Sequence, residues 1–162
     1  MKIKIFATGG TFDKEYNEHT GELYFKDTHL QEILNLGKCK LDVDIRTLML
    51  IDSLYMTQDD RYIIAEHCAH TPEENIVITH GTDTMVETAK VIAETVQDKT
   101  VVLTGAMHPF KFGSSDALFN LGNALAFAQS LVPGVYLAMN GRYFLWNTVK
   151  KNKDTGVFEE IK

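Results

Sequence analysis

Cysteine is scarce. The 162 residues include only Cys39 and Cys68, too few for a disulfide framework and not spaced as a CxxC pair. Proline is nearly as rare, with 3 in the chain, and neither it nor glycine gathers into a linker, so one domain is expected over residues 1–162. Long hydrophobic runs are missing too. The opening "MKIKIFATGG" is broken by Lys4 and is too short for the apolar stretch of a signal peptide, and no later run approaches a membrane span. Positive charge is the minority sign. With 16 Lys and Arg against 22 Asp and Glu, the formal charge is −6 at pH 7, which argues against nucleic acid or an anionic membrane surface as the main partner. What remains is a domain expected in the cytoplasm, long enough to bury a core without staples. Its fitting partner is a small uncharged or zwitterionic ligand.

Short β-branched or apolar runs recur along the chain: "IKIFAT", "DVDIRTLML", "NIVIT", "TVVLT" and "GVYLAM". Each reads as a strand. Helical patterns separate them. "THLQEILNLGK" has Thr28 and Gln31 spaced as a capping box, Leu30, Ile33 and Leu34 on one face, and Gly37 to close the end. "TQDDRYIIAEHCAH" is a second helix. In a third, Thr84 and Glu87 are spaced as a capping box, and Met85, Ala89, Ile92 and Val96 recur at helical intervals. "SDALFNLGNALAFAQSL" is the fourth, with Leu118, Leu121, Leu125 and Phe127 or Ala128 facing inward. This alternation predicts an α/β fold: a single doubly wound, mostly parallel sheet with helices on both faces, of flavodoxin-like or Rossmann-like type. The charged tail from about Asn147 has poor periodicity and is expected to wrap the surface or complete a site.

Three strands end in chemically similar turns. "IFATGGTF" runs to Thr11, "IVITHGTDT" to Thr82 and Asp83, and "VVLTGAMHP" to Thr104 and Gly105. In a doubly wound sheet the carboxyl ends of the strands share one edge, where ligands bind, so the three turns are expected to converge. Glycine allows close backbone approach, and threonine brings a hydroxyl that donates, accepts or attacks. For any one turn, a cap or a strand end is the simpler explanation. Three together, one pairing a threonine with an aspartate, point to a polar site. There is no GxGxxG or GxxxxGK[ST] pattern to support a nucleotide.

These motifs, in this order, resemble the bacterial-type L-asparaginase family. "ATGGTF" is similar to its N-terminal TGGTI signature with Phe12 in place of Ile, and "IDSLYM" to its DSxxM substrate loop. "ITHGTDTMVETA" is close to its second signature, and "LTGAMHP" resembles its LTGAMRP element. The resemblance implies hydrolysis of the side-chain amide of asparagine, and often glutamine, without metal or cofactor. It implies Thr11 as nucleophile, and Thr82, Asp83 and Lys151 as a second group, with Lys150 adjacent to the chosen lysine. Ser53 and Asp83 would hold the substrate's α-carboxylate and α-amine, with Asp52, Gly10, Gly81 and Ala106 completing the binding site. Backbone N–H groups behind Thr82 would stabilise an oxyanion.

A threonine hydroxyl is a poor nucleophile at neutral pH and needs a base or a polarised hydrogen-bond network. Tyr16 is the expected lid tyrosine, with Tyr24 as the alternative. His80 is expected to be structural. His108 stands where the family has Arg, and Ala117 where it has Gly, which puts the local structure there in question. The family's second, C-terminal domain has no counterpart here, which implies a short-chain form with weaker substrate affinity or looser choice between amides. A homodimer or higher homo-oligomer is expected. "HCAH", His67 to His70, has the spacing of a metal half-site but reads as helix surface around a core cysteine. The rival readings are an amino-acid-binding domain without efficient chemistry, an amidase for another substrate, and a nucleotide-binding sheet.

Overall fold

The computed structural model describes residues 1–162. Its central sheet has 6 strands: β1 (Lys2–Gly9), β4 (Asp42–Ile51), β5 (Asn75–Thr79), β6 (Thr100–Thr104), β7 (Gly134–Met139) and β8 (Arg142–Leu145), in the order β4-β1-β5-β6-β7-β8. The first five in that order run parallel, and β8 pairs antiparallel with β7. Counted along the chain, the parallel strands lie in the order 2-1-3-4-5. That order reverses direction between β1 and β5, so the switch point lies between their carboxyl ends.

Four helices cover the sheet: α1 (Leu30–Leu36), α2 (Gln58–His70), α3 (Met85–Thr95) and α4 (Ala117–Ser130). Strand alternation divides their packing into two cores. Ile76 and Ile78 of β5 join Ile64 and Cys68 of α2 and Met85, Ala89 and Ile92 of α3 on one face. Val77 joins Leu30 and Ile33 of α1 and Leu121, Leu125 and Ala128 of α4 on the other. The expected doubly wound α/β architecture is therefore the observed one. No helix is long and apolar enough to cross a membrane.

Several local expectations are corrected by tertiary contacts. Thr28 and Gln31 do not form a capping box: α1 starts at Leu30 with His29 as its uncapped N-cap. The Asp13 carboxylate takes the His29 N–H instead, at 2.9 Å, and so sets the chain's entry into the helix. At the far end Gly37 closes the helix as expected, as its C-cap at φ −75°, and the left-handed residue is the next one, Lys38, at φ 52°. Thr84 and Glu87 do not form a capping box either, because the Thr84 hydroxyl is drawn to Ser53. The capping box that does form joins Thr57 and Asp60 at the start of α2. Leu118 is exposed, since it lies at the edge of the α4 face that packs on the sheet.

Five strands, all in hairpins, have no counterpart among the sequence-predicted strands; a sixth hairpin arm, β7, is the predicted "GVYLAM". Asn140 and Gly141, at φ 55° and 83°, make the tight turn between β7 and β8, and the Asn-Gly pair is the sequence cue for it. β2 (Lys14–Asn17) pairs with β3 (Glu22–Phe25), directly after the first turn. β9 (Val149–Lys151) pairs with β10 (Phe158–Glu160) in the charged tail. Val149 and Phe158 are buried in the α2/α3 core, which anchors this last hairpin.

The two cysteines differ in exposure. Burial pushes the Cys68 thiol up to about 12, with Lys99 pulling weakly the other way, whereas Cys39 is partly exposed. Because the thiolate is the reactive form, a thiol reagent such as DTNB is expected to titrate Cys39 in the native protein and both cysteines only after unfolding. Rapid native titration of both would contradict this burial.

Candidate active site

The turns after β1 and β5 meet at the switch point, and glycines let them do so. Gly10 has φ 75°, and a Cβ built on it would lie 2.4 Å from the Cα and N of Gly81. Its N–H donates to the Ile51 carbonyl at 2.9 Å, tying the first turn to the end of β4. Gly81 in turn faces Ser53, whose Oγ would sit 2.5 Å from an added Cβ. Thr11 and Thr82 therefore stand on touching turns, with Thr11 half-buried and Thr82 buried.

A polar cluster joins Thr82, Asp83 and Lys151. The Lys151 Nζ donates to Thr82 Oγ1 at 2.8 Å and to Asp83 Oδ1 at 2.8 Å. Residues 82 and 83 come from the β5–α3 turn, and the lysine comes from β9, far along the chain. Alternation along β9 decides which lysine reaches in. The Lys151 side chain is 15% exposed, while Lys150 is 61% exposed and pairs with Glu159 at 3.7 Å. The cluster opens on a cavity of about 560 Å³ that Leu54, Glu87 and Lys153 help to line. Thr11 does not line that cavity.

Ser53 is buried beneath the second turn. Its Oγ accepts from the Thr84 N–H at 3.3 Å and its carbonyl accepts from the Thr84 hydroxyl at 2.9 Å. Asp52 precedes it with both oxygens engaged: Oδ1 accepts from the Leu54 N–H at 3.1 Å and Oδ2 from the Lys14 ammonium. Burial opposes the Asp52 charge, but the Lys14 and Leu54 bonds outweigh it and hold the carboxyl below its usual range. Lys14 leads from the Thr11 turn into β2, so this pair clamps the first turn to the Ser53 segment.

Ala106 packs its methyl into the α1/α4 core, leaving only backbone for a ligand. Thr104 likewise turns inward, donating to the Ala138 carbonyl at 2.7 Å. The third turn thus contributes shape and no threonine hydroxyl. Its loop is held by Asp116, whose carboxylate accepts the Met107 and His108 N–H groups, so it does not depend on the side chain at position 108. Ala117 is fully buried. Tyr16, on β2, is 57% exposed, and its hydroxyl lies over Gly21 of its own hairpin. Tyr24, on β3, is also exposed.

His80 is a feature whose partners sequence reasoning did not identify. Fully buried, it bonds the Gly81 carbonyl through Nδ1 and the Thr88 hydroxyl through Nε2, each at 2.7 Å. A neutral ring donating from Nδ1 and accepting at Nε2 satisfies both partners. Burial depresses its pKa to about 4; the Gly81 bond works against this and the Arg61 charge adds to it. The unfolded chain takes up this proton below about pH 6.5 and the folded one only near pH 4. Stability held above pH 6.5 is thus lost as pH falls, by roughly 3 kcal/mol over that window. Urea unfolding between pH 7 and pH 4 is expected to show a shallower decline for His80→Asn than for the parent. Equal slopes would refute the assignment.

A doubly wound sheet with a Thr–Asp–Lys cluster at its switch point is the class that this geometry defines. The chain belongs to the asparaginase family: the family described as "Asparaginase, N-terminal" matches residues 2–159. The chain is 31% identical to an L-asparaginase of Thermococcus kodakarensis over 97% of its own length and 49% of the relative's. It is 35% identical to L-asparaginase 2 of Escherichia coli K12, over 96% and 47%. The Thermococcus kodakarensis L-asparaginase structure superposes with a TM-score of 0.87, covering 99% of this chain and 51% of that one. A third relative is one of the subunits of a glutamyl-tRNA(Gln) amidotransferase of Methanococcus vannielii, 32% identical over 86% of this chain and 34% of its own. The chain thus spans about half the length of the L-asparaginases that it matches.

Proposed function

We propose that this chain hydrolyses the side-chain amide of L-asparagine to aspartate and ammonia, with Thr11 as nucleophile and Thr82, Asp83 and Lys151 as its second reactive group. The observation carrying this reading is the Lys151 ammonium shared between Thr82 Oγ1 and Asp83 Oδ1. As an ammonium, Lys151 leaves the Thr82 proton to a weak contact with the Met107 sulfur at 3.8 Å, from which it can be passed on. Once it gives up one proton, Lys151 can accept that bond instead, and the Thr82 oxygen gains the electron density that a nucleophile or base requires. Asp83 favours the ammonium form and so limits how readily this exchange occurs.

In the first step the Thr11 oxygen attacks the amide carbon, its proton passes into the local network, and the resulting oxyanion needs N–H donors. Thr82 and Asp83 lie just before α3, and their N–H groups are not engaged by backbone carbonyls. Each such donor contributes typically about 3 kcal/mol to a tetrahedral intermediate. Proton transfer to the amide nitrogen releases ammonia, and water then cleaves the acyl-threonine ester. Ser53 and Asp83 would hold the substrate's α-carboxylate and α-amine, with Asp52, Gly10, Gly81 and Ala106 shaping the surroundings. Closure of the β2–β3 hairpin would bring Tyr16 over the site. No cofactor is called for, and we further propose a cytoplasmic homo-oligomer.

The test is ammonia release from L-asparagine, L-glutamine and D-asparagine by the parent, Thr11→Ala and Thr82→Ala. Release from L-asparagine that is lost in both variants is the expected result. Persistence in Thr11→Ala would overturn its role as nucleophile. Saturable binding of L-asparagine without ammonia would favour an amino-acid-binding domain.

A further inference from the structure

A second polar cavity lies away from the switch point, on the β4 edge of the sheet. It measures about 210 Å³ and is lined by Lys4, Phe6, Arg46, His67, His70 and Thr71, together with Pro72. Phe6 and Lys4 lie three and five residues before Gly9 on β1, so the cavity is roughly 10–16 Å down the strand from the candidate active site. It gathers four potential cations on a chain whose net charge is −6.

No carboxylate lines the cavity, although Asp44, Glu66 and Glu73 lie around it. Lys4 is paired with Asp44 of β4. Arg46, exposed on the same strand, takes part in none of the chain's ion pairs. His67 tilts against the Phe6 ring at a centroid distance of 5.8 Å. His70 bonds the Glu66 carbonyl through Nδ1 at 2.8 Å, which leaves its Nε2 for another partner. Burial, then Arg46, holds His67 below its ordinary range; His70 and Lys4 add to this, and only Glu66 opposes it. Glu73, beyond the end of α2, is occupied by the Thr71 hydroxyl and lies 4.0 Å from Lys2. The α2 carbonyl end faces this region, which favours the protonated forms of His67 and His70 but opposes an anion, so an anion here depends on the cationic side chains.

We propose that this cavity is a binding site for a tetrahedral dianion of the phosphate or phosphomonoester class, held by Arg46 with His67 and His70. The guanidinium fork matches two oxygens of such an anion. Because the His70 Nδ1–H is spent on the Glu66 carbonyl, its Nε2 donates to an anion only when the ring is protonated, and protonation likewise makes His67 a full cation. A cavity of this size takes the tetrahedral head and leaves any organic substituent in solvent. Binding therefore draws protons onto the histidines and tightens as pH falls. The site is independent of the amidase reading, because it shares no residue with it.

Sulfate is the first probe, because it stays a dianion throughout the range tested, so any pH effect reports on the protein. Histidine Cε1–H resonances are followed by NMR during sulfate titration at pH 6 and pH 8, with chloride at matched ionic strength as control. Saturable shifts of His67 and His70 are expected, with roughly tenfold tighter binding at the lower pH. Arg46→Ala is expected to abolish them, and Arg46→Lys to restore part of the affinity. His67→Asn combined with His70→Asn is expected to remove the pH dependence. Unfolding curves establish that each variant is folded. Inorganic phosphate and glycerol 3-phosphate, compared at pH 8, then distinguish the sources: tighter binding of one assigns the site to the free ion or to the ester. Shifts equal to those in chloride, or sulfate binding unchanged by Arg46→Ala, would overturn the proposal. Ammonia release is expected to be unchanged in Arg46→Ala, which separates this test from that of the amidase.

Discussion

Lys151→Met is expected to lower ammonia release from L-asparagine by roughly 10²- to 10⁴-fold, the range typical for loss of a proton-transfer group. Methionine keeps much of the side-chain length and volume, so the β9–β10 hairpin can stay docked through Val149 and Phe158. It removes the Nζ that lies 2.8 Å from both Thr82 Oγ1 and Asp83 Oδ1. The Thr82 hydroxyl then loses its polarising partner, and the Asp83 carboxylate loses its neighbouring cation. A fall in kcat is expected, larger than any rise in KM, because the lost contact acts on chemistry more than on ground-state binding. Lys150→Met is the control: Lys150 lines the rim of the same cavity, but it pairs with Glu159 and bonds neither Thr82 nor Asp83, so activity is expected to stay close to that of the parent. Equal losses in both variants would locate the effect in the hairpin rather than in the ammonium. An active Lys151→Met protein would remove the lysine from the mechanism.

Gly10→Ala is expected to be the most damaging small substitution for the fold around the site. Two costs add. At φ 75° and ψ −179° the backbone is in a region that essentially only glycine adopts, which costs an L-residue about 1–3 kcal/mol. The new methyl would also stand 2.4 Å from the Cα and N of Gly81 and 2.9 Å from the carbonyl carbon of His80. Both obstacles are main chain, pinned by the His80 bond to the Gly81 carbonyl and by Ser53 on the other side. Overpacking of this kind typically costs about 1–3 kcal/mol, so a total of about 3 kcal/mol, within the summed range, is expected. For a chain of this size that corresponds to a fall in Tm of roughly 6–12 °C. Ammonia release is expected to be lost even where the variant folds, because separating the two turns separates Thr11 from Thr82. Gly122→Ala, on the open surface of α4 with nothing within 4 Å of the added atom, is the matched control. A Gly10→Ala protein with parental Tm would mean that the two turns are not in contact.

Much of the molecule was legible along the chain, for a physical reason. Apolar runs such as "NIVIT" and "TVVLT" are buried on both faces, so their burial shows directly as composition. The periodicity of Met85, Ala89, Ile92 and Val96 marks the α3 face that meets the sheet. Edge and tail hairpins were less legible. β8, β9 and β10 are short, partly exposed and polar, with burial patterns that lack a clean alternation. Capping was misread where tertiary bonds claimed the groups that would cap: Asp13 took the His29 N–H, and Ser53 drew in Thr84.

The sequence by itself determined the α/β alternation, the strands that carry the site and the chemistry of the turns. These follow from hydrophobic periodicity and from residue types that act locally. The tertiary structure alone decided that Lys151, and not Lys150, reaches Thr82 and Asp83, because that depends on which face of β9 docks on the core. Structure also decided that Thr104 turns away from the site while Lys14 clamps Asp52, and that Arg46 shares a cavity with His67 and His70. Each of these pairings joins residues far apart in the chain. Register and helix docking set them, and no local pattern encodes either.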